Sequence, residues 1–169
     1  MLIYTTLTIG CTSMRNLPEQ KIVPHVEMQK FMGTWYVIAS IPTIFEKNAY
    51  NAVEIYSWNE KEQRVDIDFS FNKDSFDGPI KKIPQTATIY NKETNSEWRV
   101  RPFWPLSFAY LIVDLAPDYS DTIIGVPDRK NVWIMARTKT IPEARYQQLV
   151  DKVKTLGYDL SKLQKVPQK

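Results

Sequence analysis

Glycine is scarce. The five present, Gly10, Gly33, Gly78, Gly125 and Gly157, lie too far apart for a G-x-G-x-x-G turn or a phosphate-cradling P-loop, which excludes nucleotide binding of those kinds. One cysteine and one histidine exclude a Cys/His zinc site and a disulfide framework, and leave His25 as the base any Ser-His-Asp triad would need. No EF-hand loop or other metal-ligand spacing occurs, so neither a metal nor a cofactor is expected. No apolar run approaches the roughly 20 residues needed to cross a membrane as a helix. Charge of one sign is lacking too. The 22 cations and 19 anions leave a net +3, without the clustered basic stripe of a nucleic-acid binder. What is present is ordinary globular material: 169 residues, 43% hydrophobic, with seven Phe, five Trp and nine Tyr. That length is about one domain, able to bury roughly two-thirds of the surface its unfolded chain would expose.

The N-terminus divides sharply. Residues 1–10, MLIYTTLTIG, carry no charge, and Cys11 follows directly before the chain turns polar. This resembles a lipoprotein signal, short enough to be truncated, with Gly10 and Ile9 ahead of the cysteine and Thr8 where leucine is usual. Acylation of Cys11 would then anchor the chain, each buried methylene contributing about 0.8 kcal/mol. The alternative is a plain N-terminus with an incidental cysteine. Residues 11–27 hold Pro18 and Pro24 and few apolar residues, and read as a tether; its last sixteen residues span about 50 Å if extended. Residues 28–169 then read as one domain.

From Met28 the hydrophobic period is two. RVDIDFSFN (64–72) puts Val65, Ile67, Phe69 and Phe71 on one face and Asp66, Asp68, Ser70 and Asn72 on the other, the pattern of a half-buried strand. Seven more such segments are predicted at 34–41, 50–58, 83–91, 96–103, 108–115, 121–126 and 131–138, joined by turn residues such as Asp77-Gly78-Pro79. Eight strands at fairly even spacing favour an antiparallel barrel or sandwich. Pro102 implies an edge, a bulge or an early end within its strand. One helix follows. Thr140 and Glu143 have capping-box spacing, with Pro142 in the first turn. Tyr146, Leu149, Val150, Val153 and Leu156 form one apolar stripe, and Gly157 supplies the stop. The stripe should pack outside the barrel wall.

Three stretches in order resemble the lipocalins, and most nearly the bacterial outer-membrane lipocalins: FMGTWYVIASIP (31–42) with Gly33-x-Trp35, AYLIVDLAPDYSDTIIGVPDR (109–129) with Asp114 and Tyr119, and NVWIMARTKTIPEARYQQLVDKVKTLGYD (131–159) with Arg137. Asn131 departs from the pattern, where an aromatic is common. The resemblance covers residues 28–166 and implies an all-β fold: an eight-stranded antiparallel up-and-down barrel with one C-terminal helix outside. Gly33, Trp35, Asp114, Tyr119 and Arg137 would be structural, with Trp35 plugging one barrel end and Arg137 across its indole face.

A barrel of eight strands leaves room for one small ligand or fills with its own side chains. The inward positions of the first reading are Val65, Ile67, Phe69, Phe71, Trp98, Val100, Phe108, Tyr110 and Ile112, with Glu54 and Tyr56 on a strand whose facing is ambiguous. Phe45, Tyr50, Phe76 and the Phe103–Leu106 segment read as an apolar rim. Lys47, Lys73, Lys81, Lys82, Arg99 and Arg101 are cations near it, Arg101 being suited to an anionic head. The expected ligand is a fatty acid or lysophospholipid, tail in the barrel and head at the mouth. The protein would bind, store or carry such lipids without catalysis, facing the periplasm from the outer membrane. The alternatives are a lipid-modifying enzyme on the same scaffold, which lacks a visible nucleophile, and a structural envelope protein with a filled barrel. His25 reads as an incidental surface residue. Asp66 and Asp68 read as a solvated face, and Asp114 and Asp118 as acceptors for backbone donors.

Overall fold

The computed structural model describes residues 17–169; the signal-like stretch 1–10, Cys11 and the start of the tether lie outside them. A short helix, α1 (Met28–Phe31), leads into β1 (Gly33–Ile41), β2 (Ala49–Asn59), β3 (Arg64–Lys73), β4 (Ile80–Ile89), β5 (Glu97–Arg101), β6 (Phe108–Leu115), β7 (Asp121–Gly125) and β8 (Val132–Ala136). Helix α2 (Glu143–Thr155), a single 3-10 turn (Leu160–Lys162) and a two-residue strand, β9 (Gln164–Lys165), complete the order. Each strand pairs antiparallel with the next, and β1 pairs with both β2 and β8. The sheet is therefore the expected closed up-and-down barrel, with all eight long strands falling on the segments picked out by period two.

The alternation sorts side chains into two cores. Inside the barrel, Val65, Ile67, Phe69 and Phe71 of β3 are 0–3% exposed, and Trp98, Val100, Tyr110, Ile112 and Met135 join them. Outside, Ile38, Leu111, Val113, Ile123, Val132 and Ile134 form a second layer under Leu149 and Val153 of α2. One face of β1 and β6–β8 serves the first core, the other face the second. This is why these strands are apolar nearly throughout while β3 alternates. Asp66 and Asp68 face outward as expected, Asp66 bound by Arg64 and Asn59.

Four expectations are corrected. The tether is folded from Gln20 onward. Val26 is fully buried, Gln20 donates to the Tyr158 hydroxyl at 2.9 Å, and Val23 N donates to Ile112 O at 2.9 Å. Only a few apolar residues are needed to strap a closed barrel end, so composition hid them. Thr140 does not cap α2: Pro142 is the N-cap, with no side-chain cap bond. Asp114, the second-last residue of β6, accepts from Lys152 of α2 instead of from backbone donors. Finally, β9 was missed because two residues carry no period. It pairs with β1 beyond the point where β2 parts from it. There Gln168 Nε2 donates to Val37 O at 2.8 Å and Ala52 O at 2.9 Å, closing the seam.

Four of the signature residues, Gly33, Trp35, Tyr119 and Arg137, gather at the closed end. Gly33 has φ +93°, a conformation that side chains with a Cβ rarely adopt. Trp35 is fully buried, and the Arg137 guanidinium lies 3.8 Å from its ring centre. Arg137 also donates to Thr34 O, Lys30 O and Phe31 O, and to Tyr119 O at 3.4 Å. The Tyr119 hydroxyl in turn accepts from Glu27 N at 2.9 Å. These contacts hold α1 across the end of the barrel like a lid.

Candidate functional site

Phe31 sits on the lid with ring centres of Trp35, Tyr56 and Trp98 within 5.1–5.6 Å. These rings fill the closed end completely. Tyr110 stacks on Trp98 at 5.3 Å with planes 12° apart, making the next layer up. Above Tyr110 the filling stops. A cavity of about 550 Å³ opens there, within the usual 300–1,000 Å³ of small-molecule sites. Glu54 and Tyr110 form its floor. Ile67, Phe69, Ile83, Val100 and Phe108 line the walls, with Gln85 and Trp133, and Ile44, Phe45, Leu106 and Lys130 stand at the mouth.

Six residues expected as ligand contacts line this space: Glu54, Ile67, Phe69, Val100, Phe108 and Tyr110. The others do not, for definite reasons. Tyr56, Val65, Trp98 and Ile112 point inward but belong to the solid closed end. Phe71 is buried against Phe69, ring centres 5.4 Å apart, off the cavity wall. Arg101 follows inward Val100, so strand parity turns it outward, and it is exposed beside Thr86. Phe103 stands outside the rim, edge-on to Phe45 at 5.9 Å. Pro102 marks the end of β5 at Arg101. Of the six cations named, none lines the cavity: Lys73 bonds Lys47 O, and Arg99 pairs with Glu97 over Tyr90. The cation at the mouth is Lys130, 3.0 Å from Asp128. His25 is exposed on the strap.

The floor is chemically unlike the walls. The Tyr56 hydroxyl donates to Glu54 Oε2, and the Tyr56 and Tyr110 hydroxyls are 2.6 Å apart. With Tyr56 committed to Glu54, Tyr110 donates to Tyr56. Burial pushes the Glu54 carboxyl up to about 7; the Tyr56 bond pulls it back, and the charge of Glu46 adds to the rise. Burial also pushes both tyrosines well above their ordinary range. Glu46, in the β1–β2 loop, accepts from Trp133 Nε1 at 2.8 Å and from Thr43 Oγ1 at 2.7 Å. Its carboxyl is raised by burial against those two bonds. Glu46, Ile83, Gln85 and Trp133 were missed as site residues. Glu46 lies in a loop, where no period exists to read. Ile83 and Trp133 are inward by the same alternation that found Phe69, and their strands offered that signal.

The mouth is greasy as well as open. Ile44 is 76% exposed and Trp104 92%. Phe45, Phe103 and Phe108 are each about half exposed. Such a cluster exceeds the scattered apolar residues of an ordinary surface.

A family model described as a lipocalin-like domain matches residues 26–168. Temperature-induced lipocalin-1 of Arabidopsis thaliana is 32% identical over 171 residues, covering 89% of this chain and 83% of the relative. Outer membrane lipoprotein Blc of Escherichia coli (strain K12) is 26% identical over 156 residues, covering 92% of this chain and 87% of the relative. Among solved structures, insecticyanin from the tobacco hornworm Manduca sexta superposes with a TM-score of 0.66 at 19% identity, covering 88% of this chain and 84% of that one.

Proposed function

The chain belongs to the lipocalin family, and from that premise we propose that it is a non-enzymatic carrier of single-chain amphipathic lipids in a bacterial cell envelope. The observation that carries this reading is the apolar cavity above the aromatic plug, open at one end and rimmed by exposed apolar side chains. Burying ten methylenes there gains about 8 kcal/mol gross, less the cost of ordering the chain, so dissociation constants on the order of micromolar are expected. A fatty acid or lysophospholipid would place its tail along Phe69, Ile83 and Val100. Its anionic head would stay at the mouth near Lys130, away from the carboxyl on the floor. No serine, cysteine or histidine lines the cavity among the described residues, which favours binding over nucleophilic chemistry. The similarity to Blc, an outer membrane lipoprotein, supports anchoring through Cys11 on the periplasmic side.

The test is displacement of the fluorescent probe N-phenyl-1-naphthylamine from the purified protein by palmitic acid and palmitoyl-lysophosphatidylethanolamine. Saturable displacement by either supports the reading; displacement by neither overturns it. For the anchor, labelled palmitate should enter the native chain expressed in a Gram-negative host and be lost in Cys11→Ser. Label retained in the variant sinks the anchor.

A further inference from the structure

An apolar cup that held only a hydrocarbon tail would have no use for a carboxyl at its deepest point. Glu54 is 8% exposed and lies on the floor. Its Oε2 is taken by Tyr56, and among the described residues no hydrogen bond reaches Oε1. Tyr110, the other polar group of the floor, is engaged with Tyr56. On the floor itself, the polar valence left open is therefore an acceptor, while Gln85 puts an amide on the wall. Glu46 puts a second carboxyl on the same cavity higher up, and the one cation of the lining, Lys130, is at the rim beside Asp128. The interior is thus acidic and walled by the aromatic rings of Phe69, Phe108 and Tyr110. Buried carboxylates are stabilised by a paired cation and heavily penalised without one, and aromatic faces favour a cation further.

We infer that the cavity floor is a subsite for a protonated amine, so that the occupant is a long-chain amphiphile presenting an amino group to Glu54 Oε1 at the inner end. This rests on the carrier reading and narrows it. The same chain ending in a carboxylate cannot use the floor and must bind with its head outward. A chain ending in a hydroxyl can donate one neutral bond there, weaker than a charged one.

Three probes with one tail decide the matter: dodecylamine, dodecanol and dodecanoic acid, each displacing N-phenyl-1-naphthylamine at pH 8. The amine should bind about tenfold or more tighter than the acid, the alcohol falling between. Glu54→Gln should remove most of the amine's advantage while leaving the alcohol's affinity within about threefold. Glu46→Gln should preserve the preference. Lowering the pH to 5.5 should weaken the amine and not the alcohol. The groups facing Glu54 are Tyr56, Tyr110, Glu46 and, at the rim, Lys130. The two tyrosines stay neutral throughout, so Glu46 is the competing carboxyl, and its variant separates the two. Equal binding of amine and acid, or a preference that survives Glu54→Gln or vanishes in Glu46→Gln, overturns the subsite and leaves the carrier standing. Displacement by none of the three overturns both.

Discussion

Glu54 sets a conflict between folding and site chemistry at the level of one side chain. Its carboxyl stands at about 7 in the folded protein against an ordinary 4.5, so the folded state holds a proton the unfolded state has released. Stability is then full below about pH 4.5, declines as the pH rises to about 7 and levels off above, by up to about 3 kcal/mol. Glu46, raised for the same reason, acts in the same direction. Glu54→Gln should therefore be more stable than the native chain at pH 8 and show a flatter profile, read from urea midpoints at pH 5 and pH 8. An unchanged profile would place the titration elsewhere. Arg137 is the opposite case, a charge whose every contact supports the fold. Replacing it with alanine removes charged bonds to four carbonyls and the stack on Trp35, costing about 2–4 kcal/mol in denaturant melts. Lysine should recover little, since it lacks the planar fork. At this scale the sequence was legible wherever parity could be counted. Ile67, Phe69 and Val100 were found that way, and Arg101 was misplaced only because it was set at the mouth against the parity of its own strand. Glu46 was invisible because its partner Trp133 is 87 positions away.

Among the elements, strands were easier to read than their junctions. Hydrophobic runs located eight strands, β3 by clean alternation and β1 and β6–β8 as nearly continuous apolar segments buried on both faces. The ends are set by bonds that leave no such trace. The spacing of Thr140 and Glu143 fits a capping box, yet the chain enters α2 through Pro142, whose backbone is extended at ψ 139°. Thr140→Ala should thus shift stability by less than about 0.5 kcal/mol, where loss of a true cap costs about 1 kcal/mol; a larger loss in thermal melts would restore the cap. The seam is the reverse case, a short element with a large effect. Gln168→Ala leaves Val37 O and Ala52 O without their donor and should cost about 1–3 kcal/mol. Hydrogen exchange should quicken locally along β1 and the start of β2. Exchange unchanged there would mean that the pairing of β9 alone holds the seam.

Across the whole molecule, stability and binding occupy different ends of one cylinder. The plug of Phe31, Trp35, Tyr56 and Trp98 fills the closed end, while the outer layer under α2 packs along the wall. The open half is left with space. Ile83→Trp on the cavity wall should consequently abolish probe binding while leaving the melting temperature within a few degrees, because it fills room rather than core. A large drop in melting temperature would show that the space is needed for folding. The family blocks marked this architecture in the sequence, but they could not tell a hollow barrel from a full one, since inward residues read alike in both. The bond between Glu46 and Trp133 has a practical outcome. One partner belongs to a mouth loop and the other to the wall, so an arriving guest that lifts the loop unlatches an indole inside the chamber. Its emission colour should then report occupancy without any added dye.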